Sequence, residues 1–177
     1  IPEIPIFVDS PLSTEATKIY EKHLESMRRE AYRIFLKDEE DPFKFKTLTY
    51  CNNISEYQII NYVKGSSIII SSSGMAEGGR IIQHLENSLE NKNNTILFVG
   101  YSANHTLARK IIDGEKKVKI NGKFYNVECD TEIVDVFSAH ADRKDLLNYV
   151  KINDPKKLKN IFLIHGDLEQ SKSLKDG

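Results

Sequence analysis

Residues 65–80 read GSSIIISSSGMAEGGR, and the reading of this stretch decides the fold. Ile68, Ile69 and Ile70 form a short β-branched run that suits a strand buried on both faces, as in a parallel sheet. The run empties into Ser71, Ser72, Ser73, Gly74 and Met75, a loop dense in hydroxyls and backbone N–H groups. A helical pattern follows, with Ile81, Ile82, Leu85 and Leu89 on one stripe. Strand, small-residue loop and helix N-terminus are expected to present unpaired N–H groups to an anion. In open α/β sheets ligands bind at this position, outside the carboxyl end of a strand. Residues 74–81 approach the phosphate-loop pattern G-x-x-x-x-G-K-[ST]. They carry Arg80 and Ile81 where that pattern needs a lysine and a hydroxyl. Nucleoside triphosphate hydrolysis is thereby disfavoured. Two readings remain: the glycines serve a tight turn, or the loop meets phosphates in another form, such as a nucleic-acid backbone.

Upstream, Ile4 to Val8 reads as a first strand turned by Asp9, Ser10 and Pro11. Ser13 or Thr14 is expected to cap a long helix running to about Leu36, with Ile19, Leu24, Met27, Ala31, Ile34 and Phe35 as an irregular apolar stripe. The charged segment 37–46, with Pro42, reads as a surface connection. Thr47 to Tyr50 is a short strand, and Ser55 is expected to cap a helix carrying Ile59, Ile60 and Val63. Downstream of the central stretch, Thr95 to Val99 reads as another buried strand. Strands and helices alternate four times up to Val99, which predicts an α/β fold with a mostly parallel sheet and helices on both faces.

After Ala108 the texture changes. Lys117 to Ile120 and Lys123 to Glu128 predict a hairpin closed at Asn121-Gly122 by a type I′ turn. Glu132 to Phe137 reads as a further strand. Asp142 is expected to cap a helix ending near Lys151, with Asp145 favoured in its first turn. Ile161 to Ile164 reads as the last strand. A boundary is placed near residues 105–115, with the second piece completing a domain whose other part lies elsewhere.

The 177 residues are enough to bury a real core. A formal net charge of −1 excludes a global basic field, so any nucleic-acid binding must come from a local patch. Cys51 and Cys129 give no disulfide framework and fit a reducing compartment. No apolar stretch approaches a membrane span or a signal peptide. The chain opens on Ile1 without a methionine and reads as an excised piece.

Two histidines are the sharpest chemical features: His140 in FSAHAD (137–142) and His165 in LIHGD (163–167). Each follows an apolar strand pattern, and a helix and a strand lie between them, as in a βαβ unit. If those strands are parallel neighbours, both imidazoles sit at one sheet edge, about 5 Å apart at strand level. Two converging imidazoles suit metal ligation or proton transfer. His23, His84 and His105 read as surface residues.

FSAHAD and LIHGD, preceded by VDSPLSTEA, SSSGMAEGGR and ILFVGYSANHTLARKI, resemble the RNA-processing metallo-β-lactamase family of the β-CASP group. The resemblance covers nearly the whole chain. It implies that residues 1–106 match most of a β-CASP α/β domain, incomplete at its N-terminus. Residues 107–177 match the return into the metallo-β-lactamase (αββα) domain. It implies a zinc-dependent ribonuclease that hydrolyses RNA phosphodiester bonds with metal-activated water. By the resemblance, His140 contacts the scissile phosphate and assists the leaving group, and His165 is a zinc ligand. Asp9, Ser10, Ser71, Ser72, Ser73, Gly74 and Met75 match loops lining the RNA cleft, Arg80 falls in the same loop motif, and Arg109 matches a family basic position. The glycines usual around Arg109 are here Asn104, His105 and Ala108.

The family's main zinc motif, H-x-H-x-D-H, is absent from these 177 residues. A catalytic zinc needs about three protein ligands, so His165 alone cannot hold one tightly. The intact parent is expected to hold two zinc ions, and this piece none and no activity. RNA is the expected partner, a homo-oligomeric parent is admitted, no membrane is involved, and the location is expected to be cytoplasmic. Two alternatives stand beside the nuclease: a β-CASP-like module that binds RNA without cutting it, and an α/β protein binding a small phosphate.

Overall fold

Phe7 and Val8 lie between two prolines in an extended run, and they form the centre of the first sheet. In the computed structural model, which describes residues 3–27, 29, 33, 41, 43–134, 140–164 and 166–176, β1 spans Ile6–Asp9. It pairs in parallel with β2 (Leu48–Tyr50) on one side and β3 (Ile68–Ser71) on the other. Phe7 packs with Cys51, Ile60, Val63 and Ile69 in a small core. The helix after β1 is α1, Pro11–Lys22, and the next is α2, Ile54–Ile60.

The larger core gathers around α3, Ile81–Ser88. Leu85 and Leu89 are buried with Phe98, Ala108, Ile111, Val118 and Ile120, and Ile81 and Ile82 pack partly buried against them. This core joins β4 (Thr95–Phe98), α4 (Leu107–Ile112), β5 (Lys117–Ile120) and β6 (Lys123–Asn126), with Cys129 just before β7 (Asp130–Ile133). β4 and β7 pair in parallel, and β5 and β6 form an antiparallel hairpin. The mixed α/β class is as expected, with its parallel strands divided between two small sheets. The hairpin turn carries φ of +47° at Asn121 and +84° at Gly122, the left-handed pair that a type I′ turn requires.

Contacts divide the chain into Ile1–Phe137 and Ser138–Gly177. The second unit contains α5 (Arg143–Lys151) and α6 (Leu168–Lys175). Asp142 caps α5 as expected: its side chain accepts from the Asp145 N–H at 2.8 Å, while Asp145 returns a bond to the Asp142 N–H. No helix among the described residues is long and apolar enough to cross a membrane.

Several expectations are corrected. Strand β3 is an edge strand, with Ile68 and Ile70 about half exposed, because the β1–β2 pairing takes the central place. β4 is likewise only partly covered, with Leu97 exposed. Ser10, not Ser13 or Thr14, caps α1, because Pro11 lacks an N–H and suits the first helical position. That helix stops at Lys22 with His23 as its cap; part of the expected extension to Leu36 lies outside the described residues. Ile19 on it is exposed and Thr14 is the buried residue. Asn53, in a capping box with Glu56, replaces Ser55 as the cap of α2. Residues 161–164 form no strand and are exposed, since no strand among the described residues pairs with them.

Two glycines with similar backbones meet different surroundings. A Cβ on Gly79 (φ +82°) would lie 2.4 Å from the Ser72 carbonyl oxygen, whereas one on Gly122 (φ +84°) would meet nothing within 4 Å. Gly122→Ala is expected to cost about 1–2 kcal/mol, the left-handed backbone alone. Gly79→Ala should cost distinctly more in urea unfolding, and equal losses would contradict the packing described.

Candidate functional site

The site grows from one carboxylate. Asp9 ends β1 and its side chain is wholly out of water. A buried carboxylate must be hydrogen-bonded and paired. Arg80 supplies a guanidinium N–H to Oδ1, and His84 Nε2 stands 2.8 Å from Oδ2. A carboxylate only accepts, so Nε2 carries the proton that donates to it. Arg80 also donates to the Cys51 carbonyl at 2.9 Å and to the Asn52 carbonyl at 3.3 Å. Three segments are thereby tied together: the end of β1, the chain after β2, and the start of α3. His84 is buried on α3, not on the surface as expected. Its place below the apolar stripe gave no sign of a partner 75 residues away.

A second tie runs through hydroxyls. Ser10 Oγ accepts from the Ser13 N–H at 3.3 Å and from Ser13 Oγ at 2.9 Å, and lies 2.8 Å from Ser72 Oγ. Either hydroxyl of the Ser10–Ser72 pair can donate to the other. The Ser72 hydroxyl has no further partner among the described residues. Ser71 Oγ donates to the Asp9 carbonyl at 2.9 Å and Ser73 Oγ to the Gly78 carbonyl at 3.3 Å.

Part of the loop backbone is also committed. Ser73 N–H donates to Gly78, Ile81 N–H to Ser72, and Ile82 N–H to Gly79. The start of α3 therefore does not offer the bare N–H groups expected of it. Gly74 and Met75 are exposed, and their N–H groups have no acceptor among the described residues. The Met75 carbonyl accepts from the Ala108 N–H at 3.2 Å, and the Glu77 carboxylate from the Leu107 N–H at 2.6 Å, which holds the loop to α4. Ser71, Ser73 and Gly74 face Leu97, Gly100 and Tyr101 across a cleft of about 230 Å³.

The expected site residues thus fall into two groups. Ser71, Ser72, Ser73, Gly74 and Met75 share one loop, with Asp9, Ser10 and Arg80 beneath it. Arg109 lies on α4 and holds Asp113 with two bonds, Nε at 3.1 Å and Nη2 at 2.8 Å, an exposed pair that keeps its guanidinium protonated. His140 is exposed in the second unit, just before the Asp142 cap. His165 and residues 135–139 lie outside the described residues, so the expected side-by-side imidazoles rest on strands of which one, 161–164, is not formed. Among the described residues no three ligating side chains come together to hold a metal. The donors among the described residues do not make up a zinc site. Cys51 and Cys129 are buried and unbridged, and burial pushes both thiols up from their ordinary range.

A model of the Beta-Casp domain matches residues 1–111, and a model of the Zn-dependent metallo-hydrolase RNA specificity domain matches residues 125–177. The chain is 33% identical to transcription termination factor FttA of Cenarchaeum symbiosum over 97% of its own length and 27% of the relative's. It is 31% identical to the factor of the same name from Methanosarcina mazei, over 94% of this chain and 27% of the relative. It is 28% identical to ribonuclease TTHA0252 of Thermus thermophilus, over 96% of this chain and 38% of the relative. The chain therefore spans well under half the length of the curated relatives it matches.

Breaking a buried charge pair from one side strands the other charge, at a cost of about 3–5 kcal/mol. Asp9→Asn is expected to lose that much in urea unfolding. Arg109→Ala, which opens an exposed pair, should leave the midpoint unchanged. Comparable losses from the two would show that the Asp9 cluster is not the anchor.

Proposed function

Because the chain belongs to the β-CASP group of the RNA-processing metallo-β-lactamase family, we propose that it is the RNA-facing part of a ribonuclease. The observation that carries this reading is the loop after β3. It leaves the exposed Gly74 and Met75 N–H groups without an acceptor among the described residues, beside the Ser72 hydroxyl, while the Ser71 and Ser73 hydroxyls are bonded inward. Donors held in place without acceptors suit a phosphate oxygen, since a rigid donor loses little freedom on binding. In this reading Ser72, Gly74 and Met75 touch the RNA backbone. Asp9, Ser10, Arg80, Ser71 and Ser73 hold the loop in shape. Arg109 borders the same region from α4.

His140 is proposed to assist the leaving oxygen, and His165 to ligate zinc with residues from elsewhere in the parent. The residues described here do not assemble that metal site, so no step is assigned to the metal. The matching division is 1–106 for the β-CASP part and 107–177 for the return, supported by family matches that end at 111 and begin again at 125. Helix α4 and the β5–β6 hairpin follow that division in sequence, yet pack into the core around α3. An RNA-processing role and buried, unbridged cysteines support a cytoplasmic location.

Three variants of the full-length parent test this. Ser72→Ala should weaken RNA binding about 10-fold or more, the worth of a bond to a charged group, with little change in turnover of bound RNA. His140→Ala should lower turnover by about 10²- to 10⁴-fold with zinc content retained. His165→Ala should lose zinc and activity together, and excess zinc should restore part of the activity. Full turnover in His140→Ala, or equal zinc loss in both histidine variants, would overturn the assignment.

A further inference from the structure

Residues 116–123 read KKVKINGK, four lysines in eight positions with no acidic residue, in a chain of net charge −1. The hairpin register sets Lys119 opposite Phe124 and Lys117 opposite Asn126. Val118 and Ile120 alternate onto the other face, where they are buried in the core around α3. Lys117, Lys119 and Phe124 therefore share the outward face. Both ammonium groups lie near the Phe124 ring, 5.3 and 5.7 Å from its centroid, and the ring is 63% exposed. Among the described residues, none of Lys116, Lys117, Lys119 and Lys123 is paired with a carboxylate. Glu86 and Glu90, which reach the hairpin, are held by the amides of Asn121 and Asn126.

Lysines on an exposed hairpin also discourage edge-to-edge aggregation. That accounts for the charge. It does not account for a bare phenylalanine ring set among the charges. Unpaired cations around an exposed ring are the composition that holds single-stranded nucleic acid, with ammonium groups on phosphates and the ring stacked on a base.

We propose that the outward face of the β5–β6 hairpin is a second RNA-binding surface, with Lys117 and Lys119 on phosphates and Phe124 stacking on a base. The proposal rests on the reading that the protein acts on RNA. Lys119, Ile120 and Asn121 also line a cleft of about 440 Å³ with Gly78 and Gly79. The hairpin tip thus adjoins the glycine end of the serine loop, and its surface extends the proposed RNA site.

The test measures binding of a fluorescent single-stranded 12-nucleotide RNA to the 177-residue chain across a salt series. Lys117→Gln/Lys119→Gln should weaken binding and reduce the log–log salt slope by about 1.4, two phosphate contacts on a single strand. Phe124→Ala should weaken binding about 5- to 150-fold with the slope unchanged, and Phe124→Tyr should retain affinity. All these side chains are exposed, so thermal unfolding should match the unsubstituted chain. If the chain binds RNA and the hairpin variants bind as well as it does, the hairpin surface is overturned and the RNA reading stands. If the unsubstituted chain shows no salt-sensitive RNA binding, the RNA reading itself falls. Should the variants lose binding to phosphatidylglycerol vesicles while RNA affinity is unchanged, the surface is a lipid site and the proposal is wrong. Aggregation of the lysine variant with RNA affinity intact would assign the lysines to edge protection instead.

Discussion

A carboxylate taken fully out of water has to find donors, and the placement of the serine loop follows from how Asp9 finds them. Arg80 and His84 both come from the segment after β3, so satisfying Asp9 pulls the start of α3 under the end of β1. Arg80 continues to the Cys51 and Asn52 carbonyls, which locks the end of β2 into the same cluster. An isolated buried charge would cost several kcal/mol, more than most single contacts in a domain contribute. No arrangement of this loop that frees Arg80 to meet a ligand would therefore be cheap. The arginine that stands where a phosphate loop has its lysine serves the protein's own carboxylate.

That constraint shapes the surface above it. With Arg80 held below, the loop must turn back on itself between Ser73 and Gly79. The bonds from Ser73 to Gly78 and from Ile81 to Ser72 close that turn. The turn brings residue 79 against the Ser72 carbonyl, where only a glycine fits. The Ser13–Ser10–Ser72 hydroxyl sequence runs from the first turn of α1 to the loop. In the proposed RNA reading, the exposed Gly74 and Met75 N–H groups would meet a phosphate without a dedicated cation in the loop.

Local signals were legible in the sequence where the partners are close in the chain. The Asn121-Gly122 hairpin and the Asp142 cap depend on residues at most a few positions apart, and both formed as read. The caps of α1 and α2 lie two to four residues before the expected positions, set by Pro11 at the first helical position and by the Asn53–Glu56 box. Long-range partners were illegible. Nothing around His84 announces Asp9, and an apolar triplet such as Ile68–Ile70 reads the same at an edge as at a centre. The 161–164 run shows the other limit. β-Branched and aromatic residues make a strand only where another strand accepts their backbone bonds. The loop residues Ser71 to Met75 stand out in the sequence by type and spacing, whereas which of their hydroxyl and N–H groups are bonded inward needed coordinates.

The central claim is that the Asp9 cluster holds the serine loop in shape. Amide hydrogen exchange in Arg80→Met against the unsubstituted chain tests it most directly. The account predicts that Ser73 and Ile81 lose protection while amides of α4 and the β5–β6 hairpin keep theirs. Unchanged protection at Ser73 and Ile81 would contradict it, since the loop would then hold its shape without the carboxylate beneath it.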